Sequence, residues 1–265
     1  MDLDIEGNAA LITASSSGLG KAAATALARE GVDVVINGRD TDRLAEAIAD
    51  IETAAADGAS VVGQAGDLTD RANIEALVDR TLEEFGRLDH LVTSAGGPPR
   101  MQPLEPDDED WYYAFDMLVM GVVRAVRTAV PHLREDDGGT IVSITSRVTK
   151  EATPSNVLSS SVRMAVIGYE KTLSKELAPD IRANAVLPGA HETPRLTTGW
   201  EQAVERGDYE SMAAARAARS TDIPMDRPGD PMELGDMVAY LSSPKAGFVN
   251  GQAIVIDGGS GSATY

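Results

Sequence analysis

The sequence predicts an α/β fold: one doubly wound, parallel, seven-stranded sheet with helices on both faces. Short apolar runs alternate with longer amphipathic stretches along nearly the whole chain. The short runs are apolar at almost every position, as expected of strands that are covered on both faces. No internal repeat and no Pro- or Ser-rich linker divides the 265 residues. We therefore expect a single domain over residues 1–265.

Seven apolar runs have the length of buried strands. In chain order they are AALIT (9–13), DVVIN (33–37), SVVGQ (60–64), HLVTS (90–94), TIVSI (140–144), RANAVL (182–187) and QAIVID (252–257). Amphipathic helical patterns occur at about 18–30, 40–56, 70–85, 108–134, 155–178 and 231–242. Because parallel neighbours need a crossover connection, usually a helix, this alternation predicts a parallel sheet.

Two stretches need a separate interpretation. Residues 193–230 are rich in Ala, Arg and Pro and contain no clear strand, so we expect an inserted segment that covers a substrate pocket. The acidic stretch EPDDED (105–110) stands where a helix is predicted to begin. Acidic side chains are favourable at the positive end of a helix dipole, so a helix start explains this stretch better than a metal site.

The net charge limits the possible partners. The chain has 42 acidic and 23 basic residues, a formal net charge of −19, and only five lysines among the basic residues. Nucleic acid and anionic membranes are therefore not expected as partners. Self-repulsion of this size favours solubility at high salt and destabilises the protein when screening is weak, a pattern associated with halophiles.

Composition also restricts metal sites and location. There are no cysteines and only three scattered histidines, so we expect neither disulfides nor a metal centre. Residues 1–13 lack the basic and long apolar regions of a signal peptide, and no apolar run approaches the ~20 residues of a membrane span. We expect a cytoplasmic protein.

A glycine-containing turn provides the first indication of chemistry. The predicted strand 9–13 is followed directly by TASSSGLG (13–20), in which Gly18 and Gly20 open a predicted helix. The free amide groups and the dipole at a helix N-terminus can hold a pyrophosphate. Two glycines alone are a weak signal, because many tight turns need glycine.

Several motifs in the same order resemble the short-chain dehydrogenase/reductase family over nearly the whole chain. The family's T-G-x-x-x-G-x-G turn is matched by Thr13, Gly18 and Gly20, with Ala14 in place of the first glycine. The alternative is an unrelated dinucleotide-binding fold. The resemblance implies a set of cofactor-binding residues: Thr13, Ser15, Ser17, Gly18, Leu19 and Gly20 in the first turn, Asp67 and Leu68 at the adenine, Ser94, Ala95 and Gly96 in place of the family's N-A-G turn, and Pro188, Gly189 and Thr193 at the nicotinamide amide.

The residues that follow the second predicted strand indicate which nucleotide is bound. An NAD site of this type has an acid there, whereas an NADP site offers an arginine to the 2′-phosphate. Here Gly38 stands near the place of the acid and Arg39 follows it. We expect NADP, with NAD as the second choice. The alternative is that Arg39 only forms a surface ion pair with Asp40 or Asp42.

The catalytic positions match the family only in part. Ser146 stands where the family has the serine that holds the carbonyl oxygen. Thirteen residues later the family has a proton-donating tyrosine, and four residues after that a lysine that also holds the nicotinamide ribose; here those positions are Ser159 and Arg163. The asparagine that the family carries in the preceding long helix is replaced by Leu118. Arg163 can still bind the ribose and supply positive charge, but it stays protonated and cannot relay a proton.

Another group would then have to transfer the proton. His191, two residues after Gly189, is the best titratable candidate, and its alternative is an ordinary solvent-facing loop residue. Two functions therefore remain open. One is an NADP-dependent oxidoreductase, similar to 3-oxoacyl-carrier-protein reductases, that interconverts the carbonyl and alcohol forms of a small molecule. The other is a catalytically impaired nucleotide-binding protein that acts as a sensor or partner. The resemblance further implies a homo-oligomer, a tetramer or dimer, packed through helices 108–134 and 155–178.

Overall fold

In the computed structural model, residues 1–135 and 138–264 are described, and their seven strands form one parallel sheet. The strands are β1 (Ala9–Ile12), β2 (Asp33–Gly38), β3 (Val61–Ala65), β4 (His90–Thr93), β5 (Gly139–Ile144), β6 (Ile181–Pro188) and β7 (Ala253–Ile256). Their order across the sheet is β3-β2-β1-β4-β5-β6-β7. Successive strands are added in opposite directions on either side of the β1/β4 pair. The predicted doubly wound fold is confirmed.

The helices alternate with the strands. They are α1 (Gly18–Arg29), α2 (Thr41–Ala54), α3 (Arg71–Phe85), α4 (Asp108–Phe115), α5 (Gly121–Leu133), α6 (Val157–Glu176), α7 (Pro194–Glu205), α8 (Met212–Ser220) and α9 (Pro231–Ser242). A π-helical turn at Asp116–Met120 joins α4 to α5, so the predicted helix 108–134 is interrupted in its middle. The other predicted helices and strands differ from the observed ones by at most two residues at either end.

Two apolar layers hold the sheet between the helices. One layer packs α1, α2 and α9 against one face, and the other packs α3, α4, α5 and α6 against the opposite face. The backbones of α1 and α9 approach each other closely at Gly235. A Cβ added there would stand 2.5 Å from the carbonyl oxygen of Ala22. Both faces of the sheet are therefore buried, which explains why its strands are apolar at nearly every position.

Acidic caps fix the beginnings of several surface helices. The Asp40 carboxylate accepts backbone N–H bonds at the start of α2, and Asp70 does the same for α3. Asp107 and Asp110 form a reciprocal capping box at α4, so the stretch EPDDED does contain a helix start. Part of the acidic surplus is thus used at positive helix termini, where it is stabilising.

The segment 193–230 contributes no strand. It forms α7 and α8, and α8 is capped by the Ser211 hydroxyl. Among the described residues, no helix is both long and apolar enough to cross a membrane.

Candidate cofactor and active site

A cleft of about 840 Å³ runs along the edge where the parallel strands end. Parallel α/β sheets bind ligands at this edge, near the point where strand order reverses. The loops after β1 to β6 all contribute lining residues to the cleft, among them Ser16, Arg39, Asp67, Ser94, Ser146 and Gly189. The fold thus gathers residues that are more than 170 positions apart in sequence.

The glycine turn at one end of the cleft fits a phosphate group. Helix α1 begins after Ser17 without a side-chain cap and has no acid in its first turn. Its first amide groups therefore stay available for an anion. Gly18 has φ +59°, and a Cβ at Gly20 would stand 2.5 Å from the Ala14 carbonyl oxygen. Both glycines are required by the turn itself, and Ser17, Gly18, Leu19 and Gly20 all line the cleft.

Two other residues of this turn, Thr13 and Ser15, hold the protein together and do not line the cleft. The Thr13 hydroxyl donates to the Ser94 carbonyl and accepts from the Ser94 amide, both at 2.8 Å. The Ser15 hydroxyl donates to the Ile12 carbonyl and is fully buried. Neither Thr13 nor Ser15 is among the residues that line the cleft, so the structure does not bring their side chains to the predicted cofactor. Ala14, in place of the family's first glycine, has a left-handed φ of 46°.

Beyond β2 the cleft is shaped for a phosphate rather than for an acidic side chain. A Cβ at Gly38 would stand 2.5 Å from the Ser16 hydroxyl oxygen, so this hydroxyl occupies the space next to Gly38. Arg39 and Arg43 line the same part of the cleft. Two guanidinium groups and a hydroxyl are suitable donors for a phosphate monoester.

Arg39 does not form the surface pairs that its sequence neighbours offer. Its Nη1 lies 3.6 Å from Oδ2 of Asp67, and both side chains are substantially exposed. The pKa of Asp67 is lowered, chiefly because its carboxylate accepts the Thr69 N–H, with smaller contributions from the Thr69 hydroxyl and from Arg39. An exposed pair at this distance contributes little, so Arg39 can turn toward an anion at small cost.

The remaining predicted cofactor residues do lie along the cleft. These are Asp67, Leu68, Ser94, Ala95, Gly96, Pro188, Gly189 and Thr193. The Thr193 methyl group would lie 3.6 Å from a Cβ at Gly18, so the loop after β6 touches the glycine turn. The loop proposed for the nicotinamide and the turn proposed for the pyrophosphate are therefore neighbours in the cleft.

The predicted catalytic residues Ser146, Ser159 and Arg163 converge at the inner end of the cleft. Arg163 is 7% exposed and donates from Nε to the Ser159 hydroxyl oxygen at 3.2 Å. It also donates to the carbonyl oxygens of Gly96 at 2.8 Å and Thr145 at 3.5 Å. Burial, and to a lesser extent repulsion from Arg195, lowers the pKa of Arg163 to about 10. Arg163 is therefore a rigid cation at neutral pH.

His191 is not brought to the cleft, contrary to its predicted role as proton donor. The ring is buried against Gly229, where an added Cβ would stand 2.7 Å from His191 Cδ2. Nδ1 lies 3.4 Å from the Gly189 carbonyl, and Nε2 has no hydrogen-bond partner among the described residues. Burial lowers the pKa of His191. The alternative of a solvent-facing loop residue is equally wrong, because the loop folds the ring inward.

The structure adds lining residues that were not singled out from the sequence. The most informative are Ser16, Arg43, Tyr113 and Asn156. Arg43 lies in the first turn of α2, four residues after Arg39, and this spacing is the signal that could have identified it. Tyr113 lies in α4, and Asn156 directly precedes α6. Their positions at the cleft depend on how α4 packs against α6, which the sequence pattern does not reveal. No group of three or more His, Asp or Glu side chains within 1–135 and 138–264 is placed to hold a metal ion.

Comparison with known proteins agrees with this arrangement. A sequence model of the family described as enoyl-(acyl carrier protein) reductase matches residues 13–261. The 3-oxoacyl-[acyl-carrier-protein] reductase FabG of Thermotoga maritima is 32% identical over 256 residues, which is 96% of this chain and 98% of that protein. The solved structure of L-sorbose reductase from Gluconobacter frateurii, complexed with NADPH and L-sorbose, has a TM-score of 0.93 at 30% identity and covers 99% of this chain and 100% of its own.

A third similarity is to an actinorhodin polyketide ketoreductase solved with NADPH, with a TM-score of 0.88 at 31% identity, covering 96% of this chain and 97% of that one. These matches extend over nearly the full length on both sides. The chain belongs to the short-chain dehydrogenase/reductase family.

Proposed function

We propose that this protein is an NADP-dependent oxidoreductase that interconverts a carbonyl group and an alcohol by hydride transfer. The observation that carries the proposal is one continuous cleft with the glycine turn, Arg39 and Arg43 at one end and Ser146, Ser159 and Arg163 at the other. The relatives support it: their names are those of a 3-oxoacyl reductase, an L-sorbose reductase and a polyketide ketoreductase.

The cofactor is bound by separate groups for each of its charged parts. The uncapped N-terminus of α1 receives the pyrophosphate, and Ser16, Arg39 and Arg43 receive the 2′-phosphate. NADPH in the structures of two relatives supports this choice of nucleotide. When bound, the nicotinamide nucleotide supplies or accepts the hydride. Arg163 keeps N–H groups beyond its three protein contacts, and these hold the nicotinamide ribose.

Ser159 and Arg163 take the places of the family's tyrosine and lysine. The Ser159 hydroxyl accepts the Arg163 Nε–H, so its own hydrogen is free to point at the substrate oxygen. Among the described residues, the Ser146 hydroxyl oxygen accepts only a 3.4 Å contact from the Val148 amide, and its hydrogen has no acceptor there. Two hydroxyl donors and a buried cation together stabilise the negative charge that develops on the carbonyl oxygen during reduction.

The proton comes from solvent in this mechanism. Serine is far less acidic than tyrosine, and arginine stays protonated, so neither is a general acid at neutral pH. An alkoxide formed by hydride addition is basic enough to take a proton from a water molecule that enters the open cleft. General acid catalysis typically contributes about 10²–10⁴-fold. We therefore expect slower turnover than in relatives that retain the tyrosine.

The decisive experiment follows NADPH consumption with a panel of ketones, aldehydes and ketoses. We expect measurable turnover of at least one compound. Arg163→Ala weakens NADPH binding because it removes a forked donor, whereas Ser159→Ala leaves binding nearly unchanged. The combined change Ser159→Tyr and Arg163→Lys raises turnover if the cleft has room for the ring. Ser161→Ala, on the exposed side of the same helix, is the control that changes neither quantity.

Two results would contradict this scheme. If Ser159→Ala abolished turnover, the Ser159 hydroxyl would be an activated proton donor. Tight NADPH binding without turnover of any compound would favour the alternative function, a nucleotide-binding protein that has lost catalysis. The relatives, whose names are those of reductases and dehydrogenases, do not favour that alternative.

The segment 193–230 covers the substrate end of the cleft in our proposal. Thr193, Pro194 and Arg195, at the start of α7, already line it. We also propose a homo-oligomer, a tetramer or dimer, because Tyr112, Phe115 and Met164 leave apolar side chains 73%, 45% and 54% exposed on α4 and α6. Sedimentation at the monomer mass of 27.8 kDa would contradict assembly. The cytoplasmic location stays a prediction from the sequence.

A further inference from the structure

We infer that the substrate is an oxo acid, and that Arg195 binds its carboxylate, with the exposed Arg100 lining the same cleft. The inference rests on the proposed function, because it names the class of substrate for the same site. It concerns three arginines whose positive charge is not balanced by the protein around them.

The charges in the cleft are unevenly distributed. Its lining residues include only two carboxylates, Asp40 and Asp67, and both lie at the end that holds Arg39 and Arg43. Arg100, Arg163 and Arg195 line the cleft with no carboxylate among the lining residues near them. None of these three takes part in an ion pair between described residues. In a chain of net charge −19, such an acid-free group of arginines is unexpected on composition alone.

The loop after β4 holds two of these guanidinium groups close together. Arg163 Nη2 donates to the Gly96 carbonyl at 2.8 Å, and Arg195 Nη2 donates to the Pro98 carbonyl at 3.3 Å. The two acceptors are only two residues apart. The mutual repulsion of the two cations adds to burial in lowering the pKa of Arg163. An anion placed between or beside them would remove this repulsion.

The phosphates of the nucleotide already have other partners in the proposed site. The 2′-phosphate meets Ser16, Arg39 and Arg43 beyond β2, and the pyrophosphate meets the uncapped N-terminus of α1. Arg100 is tied to the catalytic side instead, because the neighbouring Met101 amide donates to the Ser155 carbonyl at 3.0 Å, just before α6. The missing anion therefore belongs to the molecule that reacts beside Ser159.

Arg195 has the donors for this role. Its single protein bond, to Pro98, leaves most of its five N–H groups unused among the described residues. Its Nη1 lies directly over Gly97, where an added Cβ would stand 1.9 Å away. Glycine at position 97 therefore provides the space that keeps the guanidinium over the cleft. Arginine binds carboxylates through two parallel N–H bonds, which also orients the substrate.

The test compares 3-oxo acids with their methyl esters in NADPH-dependent reduction at constant ionic strength. We expect the acid of each pair to have the higher kcat/KM. Arg195→Gln should lower kcat/KM for the acids about 10- to 100-fold, mostly through KM, and change the esters little. The dissociation constant of NADPH should stay the same. Arg219→Gln, an exposed arginine on α8 outside the cleft, is the matched control and should alter neither.

A second variant tests the same inference in case Arg195→Gln does not fold. Gly97→Ala keeps every charge but pushes the Arg195 guanidinium aside, and only the end of a flexible side chain has to move. It should reduce the preference for acids over esters in the same direction. Equal kcat/KM for acids and esters in the unmodified protein would overturn the inference, and so would weaker NADPH binding in Arg195→Gln.

Failure of the proposed function gives a different result. If no carbonyl compound is reduced, binding of each acid or ester can still be measured. The readout is the melting temperature of the NADP complex with and without that compound. A rise with the acid alone, absent in Arg195→Gln, would uphold the inference while the proposed function fails. No difference between acid and ester would reject the inference.

Discussion

Arg39 is an exposed side chain, and we expect its contribution to binding to depend on whether the nucleotide carries a 2′-phosphate. Its guanidinium is 71% exposed and lies 3.6 Å from Asp67. We expect Arg39→Ala to weaken NADPH binding about 10- to 100-fold and NADH binding very little, since a charged hydrogen bond to phosphate is worth about 1.5–3 kcal/mol. Fluorescence titration with both nucleotides measures this. Arg71→Ala is a close control, because that arginine is 72% exposed but lies on α3 away from the cleft.

Equal losses for NADPH and NADH would show that Arg39 is only a surface charge. A loss confined to NADPH but seen only when Arg43 is also removed would mean that the two arginines substitute for each other. Two relatives were solved with NADPH, which supports NADP as the nucleotide; the preference of this protein for NADP over NAD stays a proposal.

Glu170 is a buried acid of α6 that contacts Ser143 of β5, and the proposed chemistry does not use it. It is 2% exposed, its Oε1 accepts from the Ser143 hydroxyl, and Oε2 has no partner among the described residues. Burial raises its pKa to about 8. Because the folded-state pKa lies above the unfolded value, the stability that protonated Glu170 contributes is complete below the unfolded pKa of 4.5. It is lost as the pH rises through about 8.

Glu170→Gln should therefore flatten the pH dependence of stability. The variant should be more stable than the original protein above about pH 8, by roughly 1–3 kcal/mol, and similar to it near about pH 5. Denaturant unfolding across this range measures the free energy of unfolding. Glu176→Gln, at the exposed end of the same helix, is the control. An unchanged pH slope in Glu170→Gln would mean that another buried group is responsible.

At the scale of elements, the turn between β1 and α1 has no room for a side chain at Gly20. Gly20→Ala places a Cβ 2.5 Å from a backbone oxygen, so the turn must open. We expect a loss of about 1–3 kcal/mol in stability, together with weaker nucleotide binding. Gly199→Ala, inside α7 with no atom within 4 Å of the added carbon, should instead stabilise by about 0.5–1 kcal/mol. Thermal unfolding of both variants with and without NADPH distinguishes the two effects, and equal stabilities would contradict the strained turn.

In the segment after β6, the sequence predicted the absence of a strand but not the path of the chain. Its composition excluded a strand, and this agrees with the observed α7 and α8. The reversal at Gly189–Gly229 was not visible in the sequence, although it decides where His191 points. A parallel bridge joins His191 to Gly229, and the Gly229 amide donates to the Ala190 carbonyl at 2.9 Å. These backbone bonds turn the imidazole away from the cleft, whatever its chemistry would allow.

For the whole molecule, the charge of −19 predicts a strong effect of salt. The melting temperature should rise by several degrees between about 0.01 M and about 1 M potassium chloride, because the Debye length falls from ~30 Å to ~3 Å and repulsion among carboxylates is screened. Calorimetry in the two salts measures the shift. A melting temperature that does not change would remove the case for adaptation to high salt, which stays a prediction from composition.

The sequence by itself predicted the fold and the family, and it favoured NADP as the nucleotide. These predictions rest on local properties: the periods of strands and helices, two glycines in one turn, and an arginine after the second strand. They were sufficient to predict the seven parallel strands and to favour NADP. Only the tertiary structure decided which side chains meet in the cleft. It turned Thr13, Ser15 and His191 away from the cleft and brought Ser16 and Arg43 to it. The physical reason is that local pattern fixes the period of each element, whereas crossovers and loop hydrogen bonds between distant segments fix the direction in which each side chain points.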